Sequence, residues 1–99
     1  MSTRMTIQFE DERGESIYVY RHCDGSPEDR LPELQAVAEK AKGRWSGSEL
    51  GLFVSFFLGE AYAKEQRLPD YEITSDFHGD ESYRYHAKYT ADEWTVWVE

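Results

Sequence analysis

The stretch from Tyr18 to Pro27, YVYRHCDGSP, gathers the side chains best suited to chemistry, with the chain's single cysteine, Cys23, between His22 and Asp24. A thiol beside an imidazole and a carboxylate has the composition of a nucleophile with its base and an orienting acid. The spacing argues against that arrangement. Neighbouring side chains of an extended strand point to opposite faces, so Cys23 and His22 can share a hydrogen bond only across a bulge. Cys23 is expected instead as a small buried residue. For a metal, His22, Asp24, His78, Asp80 and His86 offer imidazole and carboxylate donors. None stands at a short ligand spacing such as the two-residue or three-residue gaps of Cys and His motifs. A histidine bonding a carbonyl at a strand end and an aspartate closing a turn account for the same residues. No glycine-rich phosphate loop, Walker-type lysine or G-x-S-x-G elbow occurs. The sequence calls for no cofactor and no metal.

Whatever these residues do, strands and helices must place them. Met5, Ile7 and Phe9 alternate with Thr6, Gln8 and Glu10, which is the period of a half-buried strand. After the polar connector DERGE, Ile17 and Val19 take the inward positions and Tyr18, Tyr20 and His22 the outward ones, completing a hairpin. Asp24-Gly25 predicts a turn, and Ser26-Pro27 a helix cap with proline at the first helical position. That turn is expected to break at Leu31-Pro32, with the first full helix running from Pro32 to about Lys42. Its apolar stripe is Leu31, Leu34, Val37, Ala38 and Ala41, and Gly43 suits its end. The short Arg44-Trp45 link makes the next helix a near-antiparallel neighbour.

The stretch from Ser46 to Gln66 reads as the core helix, opened by a capping box of Ser46 and Glu49. Leu50, Val54, Phe57, Leu58 and Ala61 form one apolar face, and Leu52, Phe56 and Ala63 a second stripe on the far side. Gly51, Ser55 and Gly59 make a small-residue strip. A helix apolar on more than one side is expected between two layers. Beyond it, Tyr71, Ile73 and Phe77 predict a third strand, Ser82 to Thr90 a fourth, and Trp94, Val96 and Val98 a fifth, with turns at His78–Glu81 and Ala91–Glu93. The order is ββααβββ. Short turns imply antiparallel neighbours, so the expected fold is α+β: one domain over residues 1–99, an antiparallel sheet of about five strands with two helices packed on one face.

Composition narrows the function. The chain has 99 residues and a net charge of −9, with 39% hydrophobic and 15% aromatic residues. A folded core is affordable at that length. Direct nucleic-acid binding is disfavoured, because phosphate contacts need a basic surface. The acidic groups Glu10–Asp11–Glu12, Glu28–Asp29, Asp80–Glu81 and Asp92–Glu93 fall at expected turns, where they keep loops solvated. An acidic mimic of nucleic acid would align them on one face. One cysteine permits no internal disulfide and fits a reducing compartment. The alternating start MSTRMTIQFE does not read as a secretory signal, and the longest apolar run, Leu50 to Leu58, falls well short of a membrane span. A soluble protein of a prokaryotic cytoplasm, with no membrane partner, is expected.

If helices cover the Ile17/Val19 side, the other side of the sheet presents Tyr18, Tyr20, His22, Arg84, His86, Lys88 and Trp97. Aromatic and arginine side chains on an uncovered sheet match the composition of an interface core, for a foreign protein or for a homodimer. A Tyr-rich outer strand face that merely suits the sheet remains the alternative. Met1 to Ile7, followed by a hairpin and Tyr20-Arg21-His22-Cys23-Asp24-Gly25-Ser26-Pro27-Glu28, resembles a group of small prokaryotic and phage-borne proteins. They open M-x-T-R-x-x-I and carry a Y-x-H-x-D-G-x-P-E type motif. The resemblance covers about the first third of the chain and implies a phage or mobile-element accessory gene. It implies no activity. The leading expectation is a non-enzymatic interaction module with Tyr18, Tyr20, His22, Arg84, His86 and Trp97 as binding residues. The rivals are a small enzyme or metal-dependent site around His22, Asp24 and His86, and the nucleic-acid mimic.

Overall fold

A computed structural model describes residues 3–43, 49–65, 70–91 and 93–99. Its elements are β1 (Met5–Glu10), β2 (Ser16–Arg21), α1 (Pro27–Lys40), α2 (Leu50–Glu65), β3 (Tyr71–Thr74), β4 (Tyr83–Thr90) and β5 (Glu93–Val98). The first hairpin is closed by the buried carboxylate of Asp11. Its Oδ1 accepts the backbone N–H groups of Arg13 at 2.9 Å and Glu15 at 3.0 Å, and Gly14 takes the left-handed φ of 87° that the turn needs. This register sets Ile7 beside Val19 and Phe9 beside Ile17.

The five strands lie in the order β3-β2-β1-β4-β5. The α+β architecture and the two hairpins follow the expectation from sequence, but the sheet is mixed, not wholly antiparallel. β1 and β4 are parallel, Ile7 facing Tyr85 and Phe9 facing Ala87. The difference arises between β3 and β4. Alternation and a turn at His78–Glu81 suggest a hairpin, yet β3 pairs with β2 at one edge and β4 with β1 further in. Residues 75–82 therefore form a crossover, and Phe77 lies in it, outside the third strand.

Both helices pack on the inner face of the sheet, where α1 lies chiefly along β5. α1 is one helix through Pro32, not a turn followed by a second start. Pro27 occupies the first turn, where no N–H partner is needed. Pro32 then forfeits a single bond, to the carbonyl of Glu28, a residue exposed to solvent. Burial of Leu34, Val37 and Ala41 against the sheet holds the helix together across it. From α2, Leu50, Phe53, Val54, Phe57 and Ala61 enter the core. Phe9 meets Phe53 edge-on at 5.7 Å and Phe57 at 5.4 Å, and Trp94 stacks on Phe53 at 3.9 Å between ring centres.

The far side of α2 has no covering layer among the described residues. Leu52 is 49% exposed, and Gly51, Ser55, Gly59 and Ala63 are exposed with it. The second apolar stripe is thus a surface, except for half-buried Phe56. Ile73, on the short edge strand β3, faces the helix side but is 61% exposed because neither helix reaches over it. Asp24-Gly25 serves packing as much as turning. Asp24 adopts a φ of 56°, and a Cβ at Gly25 would sit 2.6 Å from Met5 Cγ. Gly25 also donates its N–H to the Thr3 carbonyl and accepts the Tyr85 hydroxyl at 2.6 Å. Ser46, the Arg44-Trp45 link, the end of the core helix at Gln66, and Asp92 lie outside the described residues. No helix among those described is long and apolar enough to cross a membrane.

Candidate interaction face

On the outer face, strand register sets the side chains in transverse rows. One row runs Thr74, Tyr18, Gln8, His86, Trp97 across all five strands. The next runs Glu72, Tyr20, Thr6, Arg84. Alternation alone therefore placed Tyr18, Tyr20, Arg84, His86 and Trp97 on one face. His22 does not join them: it follows the end of β2 in an exposed bend.

The crossover covers part of this face, which alternation could not foresee. Phe77 lies over the rows, 5.1 Å from the Tyr18 ring and 6.0 Å from His86, with the Arg84 guanidinium 4.4 Å above it. His78 stacks on Tyr20 at 3.6 Å, and the Tyr20 hydroxyl reaches Asp80 at 3.4 Å. Tyr20 is consequently only 6% exposed. Burial and the neighbouring Asp80 push its phenol above the ordinary value.

A carboxylate pins the crossover down. Glu81 accepts the Thr6 hydroxyl at 2.7 Å, the N–H groups of His78 at 2.9 Å and Gly79 at 3.1 Å, and Arg84 Nε at 3.1 Å. Burial pushes its pKa up, but these hydrogen bonds, led by Thr6 and Gly79, outweigh that and hold it below the ordinary 4.5. Asp11 shows the same balance: burial raises it, and the N–H groups of Glu15 and Arg13 bring it down below 3.8. Two acids expected to solvate loops are therefore buried clamps.

The part of the face left open centres on Trp97 and His86. The two rings stack at 5.0 Å with 12° between their planes, and the Glu99 carboxylate meets the His86 ring nitrogen. Trp97 is 40% exposed. Tyr18 and Phe77 are half-buried beside this stack, and Arg84 and Lys88 line its edges, Lys88 near Glu10 at 3.9 Å.

The other chemistry-bearing stretch folds onto the opposite face. Arg21 is buried and gives its Nε to the Cys23 carbonyl at 2.7 Å and an Nη to Glu65 at 3.1 Å, with its carbon 5.0 Å above the Tyr71 ring. Asp24 and Asp70 approach the same guanidinium at 3.8 Å and 4.0 Å. Tyr71 donates to Glu33 at 2.6 Å, which Arg30 also binds. These contacts tie β2, β3 and both helices together. Cys23 is half-buried, its Sγ 3.7 Å from Asp70. Burial pushes its thiol up, Arg21 pulls it down, and Asp70 and Asp24 push it up again, leaving it raised. That is the opposite of an activated nucleophile.

His22, Asp24 and His86 do not converge. Arg21 stands opposite Met5 and His86 beside Gln8. His22 and His86 are thus separated by about four residues along the sheet, or about 13 Å, besides two strand spacings across it. Among the described residues no group of three His, Cys, Asp or Glu side chains is placed to hold a metal. No family model, curated protein or solved structure matches this chain.

Proposed function

We propose that this domain is a non-enzymatic protein-interaction module whose binding face is the open part of the outer sheet, with Trp97 and His86 at its centre and Tyr18 and Arg84 beside them. The observation that carries the reading is a tryptophan 40% exposed, stacked on a histidine, in a continuous row with half-buried Tyr18. Such a side chain contributes little to the fold where it stands and has much surface to bury on a partner. The enzyme alternative lacks this support, since its three residues are spread over two ends of the sheet. The setting we favour, from the motif of Tyr20 to Glu28, is a phage or mobile-element accessory protein that binds a host or viral protein, or a second copy of itself, in a prokaryotic cytoplasm.

The test is capture from the native host by wild type and Trp97→Ala, with sedimentation to read self-association. Trp97→Ala should weaken capture or self-association by about 1–2 kcal/mol while the unfolding midpoint stays near that of wild type. Undiminished capture and association by folded Trp97→Ala would remove the face from consideration.

A further inference from the structure

β5 is the last strand of the sheet, and its outer edge is unpaired among the described residues. Which groups it offers follows from one hydrogen bond. Glu99 donates its N–H to the Arg84 carbonyl at 2.9 Å, and hydrogen-bonded pairs alternate with non-bonded ones along an antiparallel ladder. Trp97 and Thr95 are therefore bonded to β4, opposite His86 and Lys88. Trp94, Val96 and Val98 turn their N–H and C=O groups outward. Natural edges are usually blunted by lysine, proline or a bulge. The sequence EWTVWV has neither lysine nor proline, and its pairing with β4 is continuous from Glu93 to Val98.

A cleft of about 390 Å³ lies between the two helices, but the Lys40–Glu60 ion pair bridges it. The cleft beside the β5 edge is different. It holds about 310 Å³ between α1 and β5, with Ala38 and the Trp94 and Val96 positions as apolar lining and Glu39 and Lys42 beside it. Glu93 shares the outer face of β5 with Thr95 and Trp97. Glu39 and Glu93 have no ion-pair partner among the described residues, whereas Lys40 and Lys88 are matched by Glu60 and Glu10. A side chain on the inner face of an added strand would enter this cleft. A long basic side chain fits it: its methylene stem lies on Ala38 and Trp94, and its charge meets Glu39 beside Lys42. Glu93 is placed to meet a basic side chain on the outer face of the added strand.

We propose that the free edge of β5 binds an extended, basic peptide segment by strand addition, with a lysine or arginine side chain seated between α1 and β5. The chain's charge of −9 attracts such a partner at long range. A second copy fits worse. In the two-fold pairing that uses all six edge groups, centred on Val96, Glu93 of each strand would face Glu99 of the other, and like charges directly opposite destabilise a ladder. The inference shares with the preceding reading only that the domain binds protein, since it uses the edge and inner face rather than the Trp97 face.

The probe is a capped, fluorescent Lys-Val-Lys-Val-Lys-Val-Lys peptide, compared with its Glu-for-Lys counterpart and with peptides N-methylated on one or the other alternate set of amides. The basic peptide should bind at least about tenfold more tightly than the acidic one, and the Trp94, Val96 and Val98 amides should gain protection from exchange. Methylation of one alternate set should abolish binding, and of the other set should spare it. Val96→Pro removes an outward N–H without costing a β4 bond and should weaken binding. Trp97→Ala should leave it intact even if partner capture by the outer face fails. Binding that follows charge but ignores N-methylation would overturn the proposal. So would edge protection without peptide in a sample that sediments as a dimer, which would make a second copy the occupant. The methylated peptides test wild-type protein, so the result stands even if Val96→Pro fails to fold.

Discussion

Replacing Glu81 with alanine tests whether the crossover is held by a buried carboxylate or merely rests on the sheet. Thr6 is fully buried and gives its hydroxyl to Glu81 at 2.7 Å. Without that acceptor its desolvation is uncompensated, at about 1–3 kcal/mol. The Arg84 pair adds under about 1 kcal/mol, because the Arg84 side chain is 43% exposed. The amides of His78 and Gly79 are exposed and can turn to solvent at little cost. The sum is about 1–4 kcal/mol, read as a lowered urea midpoint with an unchanged slope. If the orphaned hydroxyl is the main cost, Thr6→Val should recover part of the loss in the Glu81→Ala background, although it is destabilising alone. The carboxylate also sets a pH dependence. Its folded pKa lies below the ordinary 4.5, so its stabilisation is complete above that pH and drains as pH falls through the folded value. The acid limb of the wild-type stability curve should therefore flatten in Glu81→Ala. A midpoint matching wild type, with an unaltered acid limb, would refute the clamp.

Phe57→Ala should cost about 3–5 kcal/mol by urea denaturation, since the ring is buried against Phe9 and Tyr71; an unchanged midpoint would mean that this face of α2 is not core. Cys23, with its thiol raised by burial and by Asp70 and Asp24 against the pull of Arg21, should react slowly with thiol reagents below pH 7, and rapid labelling there would restore the nucleophile reading.

Period-two alternation carried the sheet: it separated Ile17 and Val19 from Tyr18 and Tyr20, and Tyr85 from Arg84 and His86, as the register does. Alternation reports only which side a residue faces. It says nothing about what lies above that side, so Tyr20 read as open although His78 is stacked on it, and Phe77 packs on the neighbouring Tyr18. Strand order was equally silent in the local pattern. Tyr71 to Thr74 and Tyr83 to Thr90 look like a hairpin because their separation permits one, and pairing is decided by the whole sheet. Pro32 misled for a related reason, since a propensity for stopping a helix is weak beside the burial of Leu34 and Val37 on the same helix. The apolar far side of α2 was visible in the sequence; that it is solvent-exposed depends on there being one sheet and one helix layer, which composition does not reveal.

The openness of the β5 side follows from topology rather than from any one residue. The crossover leaves β3 at one edge and must end at β4, so its residues 75–82 pass over the outer side of β2 and β1, with Phe77 reaching His86 and Arg84 of β4. Tyr20 is covered and Trp97 is not because one lies under that path and the other beyond its end. On the inner side, α1 runs along β5, with the cleft between them beside Trp94. A last strand added by a tight turn from β4 thus carries exposed aromatic surface on one face, a cleft on the other and unpaired backbone between them. Its sequence spends two tryptophans there, one stacked on Phe53 in the core and one on His86 at the surface. The inner ring holds the strand in place, and the outer one is left with surface that the fold itself never covers.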